Sequence, residues 1–112
     1  MKEHHWIYIL EVENGKFYTG YTKDMKRRIS EHLSGKKGAR FTRAFRPKSV
    51  LQCWELQGSR GIAMRVESFV KRMNRGRKLK LIENPDTLQE LLYRERMLAI
   101  EITPCPPDTN WY

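Results

Sequence analysis

The chain has 112 residues, of which 22 are Lys or Arg and 13 are Asp or Glu, so its formal charge is +9. This length fits one domain, and an apolar share of 39% is enough to form a core, which argues against intrinsic disorder. No apolar run approaches the roughly 20 residues of a membrane-spanning helix, and the first residues contain no secretory signal. We therefore expect a cytoplasmic protein with no membrane partner.

The positive charge is concentrated in the middle of the chain. Residues 23–80 contain 18 Lys and Arg but only four acids, a net charge of +14, whereas the remainder carries −5. Solvated surfaces usually intersperse the two signs. A segregated basic region is more typical of a protein that binds a polyanion, most often nucleic acid. A solvated basic face without a partner is the alternative.

The first third of the chain predicts a β-hairpin followed by a helix. Residues 6–12 and 17–21 are rich in β-branched and aromatic side chains. Asn14-Gly15 between them is a strong hairpin signal and predicts a type I′ turn, in which both central residues have a positive φ. Apolar residues at four-residue spacing then predict a helix over about residues 25–33.

The rest of the chain alternates between strand-like and helix-like patterns. A basic stretch without a clear period, residues 35–48, precedes an alternating segment, residues 49–56, that predicts a third strand. Helical spacing follows over residues 59–73, and a further helix starts near Thr87. The short basic segment 78–82 between them is compatible with either a helix or a strand.

The element order β-β-α-β-α-α predicts an α+β fold, a small three-stranded, mostly antiparallel sheet with flanking helices. We assign residues 1–97 to a single domain and expect the proline-rich tail, residues 98–112, to be irregular. Cys53 and Cys105 form no motif with each other, so we expect free thiols, one of them buried in a strand.

Several common functional motifs are missing from the sequence. It contains neither a phosphate-binding P-loop pattern nor the Gly-x-Gly-x-x-Gly of dinucleotide folds. It also lacks the Cys-x-x-Cys and His-x-x-x-His spacings that hold structural zinc. These absences argue against the commonest nucleotide-binding and zinc-binding classes.

A short series of polar residues remains that could carry chemistry. Tyr8 lies on the first predicted strand, roughly opposite Tyr18, and period two places Tyr18 and Gly20 on one face of the second strand. Arg28 and His32 are four residues apart on the first helix, next to its apolar stripe. Taken singly, the tyrosines could be a cross-strand aromatic pair, and the other two a surface arginine and a hydrogen-bonded histidine.

Glu67 is the sole acid in the second major helix, where Arg65, Lys71 and Arg72 surround it. Its spacing to Lys71 allows an ordinary i,i+4 ion pair. A carboxylate kept within a cationic surface is also where a divalent metal ion could bind.

These residues, in this order, resemble the signature of the GIY-YIG nucleases. Trp6-Ile7-Tyr8 and Tyr18-Thr19-Gly20 correspond to the two triplets that name the family, and Arg28-x-x-x-His32 and Glu67 follow. The resemblance extends over about residues 5–84. It is greatest to the small stand-alone bacterial proteins of the YhbQ type.

The chain departs from the family pattern at three positions. Trp6 stands in place of the first glycine, Thr19 stands in place of the isoleucine, and Tyr21 occupies a position where many members have lysine. The resemblance leaves open whether Asn74 or Asn84 corresponds to an asparagine that some members use.

The resemblance implies a DNA endonuclease that hydrolyses phosphodiester bonds with one divalent metal ion, Mg²⁺ or Mn²⁺, and acts on particular DNA structures in repair or recombination at the nucleoid. The implied catalytic residues are Tyr8, Tyr18, Arg28, His32 and Glu67. Glu67 would hold the metal, and Arg28 would grip the phosphate. One tyrosine, its pKa lowered by neighbouring cations, would take a proton from the attacking water, and His32 would relay it.

The basic stretches would contact the DNA backbone, with Gly20 leaving room for a phosphate to approach. The predicted contacts are Gly20, Arg27, Lys36, Lys37, Arg40, Arg43, Lys71 and Lys78. Phe41 and Phe45 in the basic loop would either stack on bases or fill the core.

Two alternatives to an endonuclease remain at this point, a non-catalytic nucleic-acid-binding module on the same fold and a basic adaptor for an acidic protein. Because the chain has little room beyond the matched part, we expect an accessory protein to supply part of the specificity. The oligomeric state is left open.

Overall fold

A computed structural model describes residues 3–34 and 46–106 of the chain. The strands are β1 (Glu3–Val12), β2 (Phe17–Thr22), β3 (Pro47–Gly58) and β4 (Ile102–Pro104). They form one antiparallel sheet in the order β2-β1-β3-β4. The predicted α+β class with an antiparallel sheet is confirmed, but the sheet has a fourth strand where three were predicted.

Four helices accompany the sheet in the described part of the chain. They are α1 (Met25–Ser34), α2 (Arg60–Lys71), α3 (Arg75–Glu83) and α4 (Thr87–Arg96). The segment 78–82, whose type the sequence left open, lies in α3. None of these helices combines the length and the apolar character needed to cross a membrane.

Side-chain caps mark the starts of three of these helices. Asp24, Ser59 and Asn74 each accept the backbone N–H of the residue three positions later, at 2.9–3.2 Å. Asn74 therefore begins α3, and Asn84 is the residue that ends it. The two asparagines that the family pattern left open both cap the same helix.

The hairpin between β1 and β2 differs from the predicted type I′ turn. Gly15 has a φ of 80°, whereas Asn14 is not in the left-handed region. The Gly15 N–H donates to the Val12 carbonyl (2.8 Å), and the Val12 N–H donates to the Lys16 carbonyl (3.0 Å). This is a three-residue loop, which needs a left-handed residue only at its last position.

The pleat of β1 divides the core into two parts. Ile7 and Ile9 point to one side, the apolar face, where they pack with Trp54 and with the buried residues of α2, α3 and α4. Tyr8 and Leu10 point to the other side, the tyrosine face, which α1 covers. The tyrosine face contains the buried residues Tyr8, Leu10, Met25, Ile29 and Cys53.

The tail is more ordered than the sequence predicted. β4 pairs with residues 54–56 of β3, and Cys105 forms a disulfide with Cys53 across a Cα–Cα distance of 5.6 Å. The expectations of free thiols and of a wholly irregular tail were therefore wrong, although residues 107–112 lie outside the described part. β3 has an open edge here, and pairing satisfies its backbone groups and brings the two cysteines side by side.

The chain reverses at the end of α4 through a left-handed residue. Met97 has a φ of 54°, and its N–H donates to the Tyr93 carbonyl (3.0 Å). The Leu98 N–H donates to the Leu92 carbonyl (3.2 Å). The first of these hydrogen bonds is that of the αL helix ending, and the second accompanies the return of Leu98 to a buried position.

Candidate active site

The tyrosine face is built around a close fit between Tyr8 and Gly20. The two residues are cross-strand partners, whereas Tyr18 pairs with Leu10. Tyr18 is therefore diagonal to Tyr8, rather than opposite as predicted, with 6.3 Å between ring centroids. A Cβ atom on Gly20 would lie 2.5 Å from Cζ of Tyr8. The space at Gly20 is thus filled by the Tyr8 ring, so the prediction that it admits a phosphate was wrong.

His32 of α1 lies against both tyrosines. Its Nε2 is 2.9 Å from the Tyr8 hydroxyl oxygen, and both residues are almost fully buried. The imidazole meets the Tyr8 and Tyr18 rings edge-on, with centroid distances of 5.8 and 5.5 Å. Burial, with the nearby charge of Arg28, lowers the pKa of His32 to about 4. The ring is therefore neutral at pH 7, and its Nε2 can accept the hydroxyl proton.

Burial also shifts the pKa of both tyrosines. Their pKa values are raised, whereas the prediction was that neighbouring cations would lower one of them. Burial raises the pKa of Tyr8 above its ordinary value, and the hydrogen bond and charge of Arg28 only partly offset this. The pKa of Tyr18 is raised as well, chiefly by burial. In the protein alone, both phenols are neutral at pH 7. Tyr8 is fully covered, whereas Tyr18 is half-buried and accessible from the surface.

Arg28 is held beside the two phenols by Glu31, a residue that the sequence analysis missed. Nη1 of Arg28 donates to Oε1 of Glu31 at 3.2 Å. About a quarter of the Arg28 side chain is exposed, and its charge acts on both Tyr8 and Tyr18. The i,i+3 spacing of the pair on α1 is the signal that could have revealed Glu31.

Glu67 acts on Tyr8 and Tyr18 through its charge, from a helix on the other side of the sheet. It lies half-buried on α2, which packs against β1 and β2. Its negative charge contributes to the raised pKa values of Tyr8, Tyr18 and Tyr21. Within residues 3–34 and 46–106 it forms no ion pair, so the alternative of an ordinary pair with Lys71 is not seen. His32 and Arg28 thus lie beside the two phenols on one side, and the charge of Glu67 acts on the same phenols from α2.

A known protein family matches most of this chain. The sequence model of the GIY-YIG catalytic domain matches residues 4–80.

The chain belongs to the GIY-YIG family.

The relatives are small proteins named only as members of UPF0213. The UPF0213 protein of Halalkalibacterium halodurans is 45% identical over 78 residues, which are 70% of this chain and 81% of that protein. The UPF0213 protein of Syntrophus aciditrophicus is 37% identical over 84 residues, 74% of this chain and 95% of that protein. The solution NMR structure of a UPF0213 protein from Bacillus halodurans has a TM-score of 0.46 at 40% identity, covering 80% of this chain and 96% of that one.

GIY-YIG domains are generally nucleases that act on DNA with a divalent metal ion. The part of the chain that the structure describes holds no group of three His, Cys, Asp or Glu residues that could bind a metal ion. Glu67 offers a single half-buried carboxylate. Mg²⁺ keeps most of its water ligands and needs only one or two carboxylates. The donor set therefore fits one hydrated divalent ion, with Glu67 as its protein ligand.

A second tyrosine–histidine pair lies on the apolar side, at His5 and Tyr21. His5 is fully buried, with Nε2 3.0 Å from the Gly58 carbonyl and Nδ1 2.7 Å from the Tyr21 hydroxyl. A carbonyl only accepts, so Nε2 carries the proton, and in the neutral ring Tyr21 donates to Nδ1. The sequence analysis assigned no role to His5, because nothing local distinguishes it from a surface histidine.

The predicted DNA contacts fall into three groups. Arg27 and Lys71 are exposed. Lys78 is only 8% exposed, and burial, together with the charge of Lys71, lowers its pKa, so it does not present the exposed cation that a phosphate contact assumes. The remaining cations and both phenylalanines of the basic loop lie outside the described residues: Lys36, Lys37, Arg40, Phe41, Arg43 and Phe45.

Proposed function

We propose that this protein is a DNA endonuclease that hydrolyses phosphodiester bonds with one divalent ion, Mg²⁺ or Mn²⁺. The observation that carries the proposal is the buried hydrogen bond between Tyr8 and a neutral His32, with Arg28 and Glu67 acting on the same phenol. Tyrosine–histidine contacts are common in cores. Here the buried pair has a cation beside it on the same helix, Arg28, and an anion from a second helix, Glu67, and proton transfer near a phosphate can use both charges.

Tyr8 and His32 form the proton-accepting unit in this proposal. Because Tyr8 is fully covered, the attacking water would lose its proton to the phenolate of the accessible Tyr18, whose own proton would pass to the buried Tyr8–His32 pair. Arg28 stabilises that phenolate and contacts the phosphate. Tyr18 is the half-buried hydroxyl that the substrate meets first, and it orients the water and the phosphate.

Burial opposes this transfer in the protein alone, because it raises the pKa of Tyr8 and lowers that of His32. A divalent ion at Glu67 would supply positive charge that favours both the ionised phenol and the transition state. Glu67 needs no rearrangement for this role, since no ion pair within the described chain occupies its carboxylate. Hydrolysis would therefore proceed only when both the substrate and the metal ion are bound.

A cleavage assay tests this proposal directly. The purified protein is incubated with duplex, single-stranded, flap and four-way DNA, each with Mg²⁺ and with Mn²⁺. We expect nicking of at least one substrate by the wild type and a loss of about 10³-fold or more in Glu67→Gln. Glu83→Gln, which removes an exposed carboxylate from α3, is the matched control and should cut like the wild type.

The same assay separates the alternatives. Binding to DNA without cleavage of any substrate would identify a non-catalytic nucleic-acid-binding module. A DNA affinity that hardly changes between low and high salt would favour an adaptor for an acidic protein, because phosphate contacts release counterions. Cleavage only after addition of a cell extract would support an accessory protein. We also propose that the protein acts in the cytoplasm at the nucleoid, where its substrate would lie.

A further inference from the structure

A cavity of about 300 Å³ lies between α2 and α4, away from the tyrosine face. Three arginines line it, and the rest of its lining is mostly apolar. We call it the arginine pocket; it is lined by Met64, Arg65, Ser68, Phe69, Arg72, Leu92, Arg96 and Leu98. Its volume is at the lower end of the range for small-molecule sites.

The arginine pocket is separate from the candidate active site. Arg65, Ser68 and Arg72 have the i, i+3, i+7 spacing of one helix face. At 100° per residue, Arg65 and Arg72 lie about 150° around the axis of α2 from Glu67. No lining residue belongs to the catalytic set. The inference below therefore does not depend on the proposed nuclease activity.

The charges of the pocket favour an anion. None of its lining residues is acidic. In the part of the chain that the structure describes, Arg65 and Arg72 take part in no ion pair, and Arg96 donates to the backbone carbonyl of Glu95 (3.1 Å). The Glu95 carboxylate itself is paired with Arg77 at 2.8 Å. Three guanidinium groups around one cavity whose lining contains no acidic side chain are suited to phosphate.

The floor of the pocket favours a planar ring. Phe69 and Leu98, which are 5% and 8% exposed, line the cavity together with the fully buried Leu92. Cζ of Arg96 lies 5.3 Å from the centroid of the Phe69 ring, so a guanidinium plane and an aromatic ring are adjacent there. Nucleobases stack on both kinds of surface.

We propose that the arginine pocket binds a nucleotide unit, with its phosphate on the arginines and its base on the apolar floor. Leu92, Arg96 and Leu98 lie beyond residue 80, where the match to the family domain ends. The pocket is thus assembled from the GIY-YIG domain and the segment that follows it. The nucleotide unit has two sources, a free nucleotide or one nucleotide of a DNA strand.

Binding is measured by NMR on the full chain carrying Glu67→Gln, without divalent metal. The probes are thymidine 5′-monophosphate, thymidine, inorganic phosphate and a 5′-phosphorylated trinucleotide. We expect amide shifts at Phe69, Leu92 and Leu98, and tighter binding of the monophosphate than of thymidine or phosphate alone. A trinucleotide that binds much more tightly than the monophosphate would identify a DNA strand as the source, and equal affinities would identify a free nucleotide.

Three variants test the assigned residues. Arg72→Gln and Arg96→Gln should each weaken binding by about tenfold or more, since each removes a charge-assisted hydrogen bond. Arg94→Gln removes the same charge from α4 but lies outside the pocket, and it should bind like the parent. Arg65→Gln replaces either of the first two if that variant does not fold, as judged by its amide spectrum.

Three results would overturn the proposal. The first is that nucleotide shifts occur around Tyr18 and Arg28 but not in the pocket. The second is an equal loss of affinity in Arg94→Gln and Arg96→Gln. The third is that inorganic phosphate or an acidic peptide binds as tightly as the monophosphate, which would mean that the base is not recognised. Loss of cleavage in Glu67→Gln, by contrast, bears only on the active site.

Discussion

The apolar face and the tyrosine face share strand β1 but are stabilised in different ways. Ile7 and Ile9 are fully buried among apolar neighbours from three helices. Tyr8, between them in sequence, is buried to the same degree, yet its hydroxyl is hydrogen-bonded to His32. Burial of polar groups is tolerated where each has a partner. At this point of β1 the pleat separates residues buried among apolar neighbours from a residue whose buried hydroxyl is hydrogen-bonded.

The largest expected difference in stability and activity is between one substitution on each face. Trp54→Ala on the apolar face removes a fully buried ring and should lower the free energy of unfolding by about 3–5 kcal/mol. Tyr8→Phe keeps the ring and leaves His32 without its hydroxyl partner, at a cost of about 1–3 kcal/mol, while abolishing cleavage. Urea unfolding and the nicking assay measure the two effects. Equal losses of stability would contradict the division between the faces.

A substitution at Gly20 should show how tightly the tyrosine face is packed. Gly20→Ala forces a Cβ against the Tyr8 ring and should cost about 1–3 kcal/mol, with a loss of activity as the ring shifts. Gly61→Ala on α2 is the matched control. Its Cβ would meet its nearest atom at 3.8 Å, and helix propensity predicts a gain of about 0.5–1 kcal/mol. Thermal unfolding of the two variants should therefore shift in opposite directions.

The two faces should also differ in their response to acid. Because the pKa of His32 falls from 6.5 to about 4 on folding, the unfolded chain binds more protons than the folded one between these values. Stability from this group is complete above pH 6.5 and is lost as the pH falls toward 4. His32→Gln should flatten the dependence of the urea midpoint on pH in that window. An unchanged slope would mean that His32 is not buried as a neutral ring.

The smallest expected effect concerns Thr19, whose side chain belongs to the apolar side of β2. Its hydroxyl is buried and has no hydrogen-bond partner among the described residues. Thr19→Val keeps the shape and removes the orphaned hydroxyl, so the free energy of unfolding should rise by about 1 kcal/mol. Thr19→Ser keeps the hydroxyl and loses a methyl group, and it should be less stable than the wild type. A destabilised Thr19→Val would reveal a partner for this hydroxyl.

Local patterns in the sequence predicted the hairpin, the first helix, the third strand and the second helix, because each follows from spacing within about twelve residues. The secondary structure of segment 78–82 was ambiguous because it mixes lysines with apolar residues. In the structure it is helical, and Leu81 is buried in the core. The prediction of a type I′ turn was wrong because Asn14-Gly15 is also compatible with a three-residue loop. Nothing in the tail indicated that Cys105 would meet Cys53, 52 positions away.

The family pattern suggested which residues form the candidate site, but not their physical state. It suggested Tyr8, His32 and Glu67, and the structure shows a hydrogen bond between the first two and a charge effect of Glu67 on Tyr8. The family pattern could not indicate that burial would raise the tyrosine pKa values, since burial depends on how α1 packs over the sheet. His5 and Glu31 were missed for the same reason. Their partners are fixed by three-dimensional packing or by a spacing that many surface residues share.

The disulfide gives the chain a closed covalent ring. Cys53 is the cross-strand partner of Tyr8, and the ring that runs from Cys53 to Cys105 contains Glu67. Tyr8, Tyr18, Arg28 and His32 lie outside it. A single proteolytic cut between Cys53 and Glu67 would leave Glu67 covalently joined to the strand of Tyr8 until the disulfide was reduced. The acidic and aromatic halves of the site are therefore linked by two covalent routes, one through the backbone and one through sulfur.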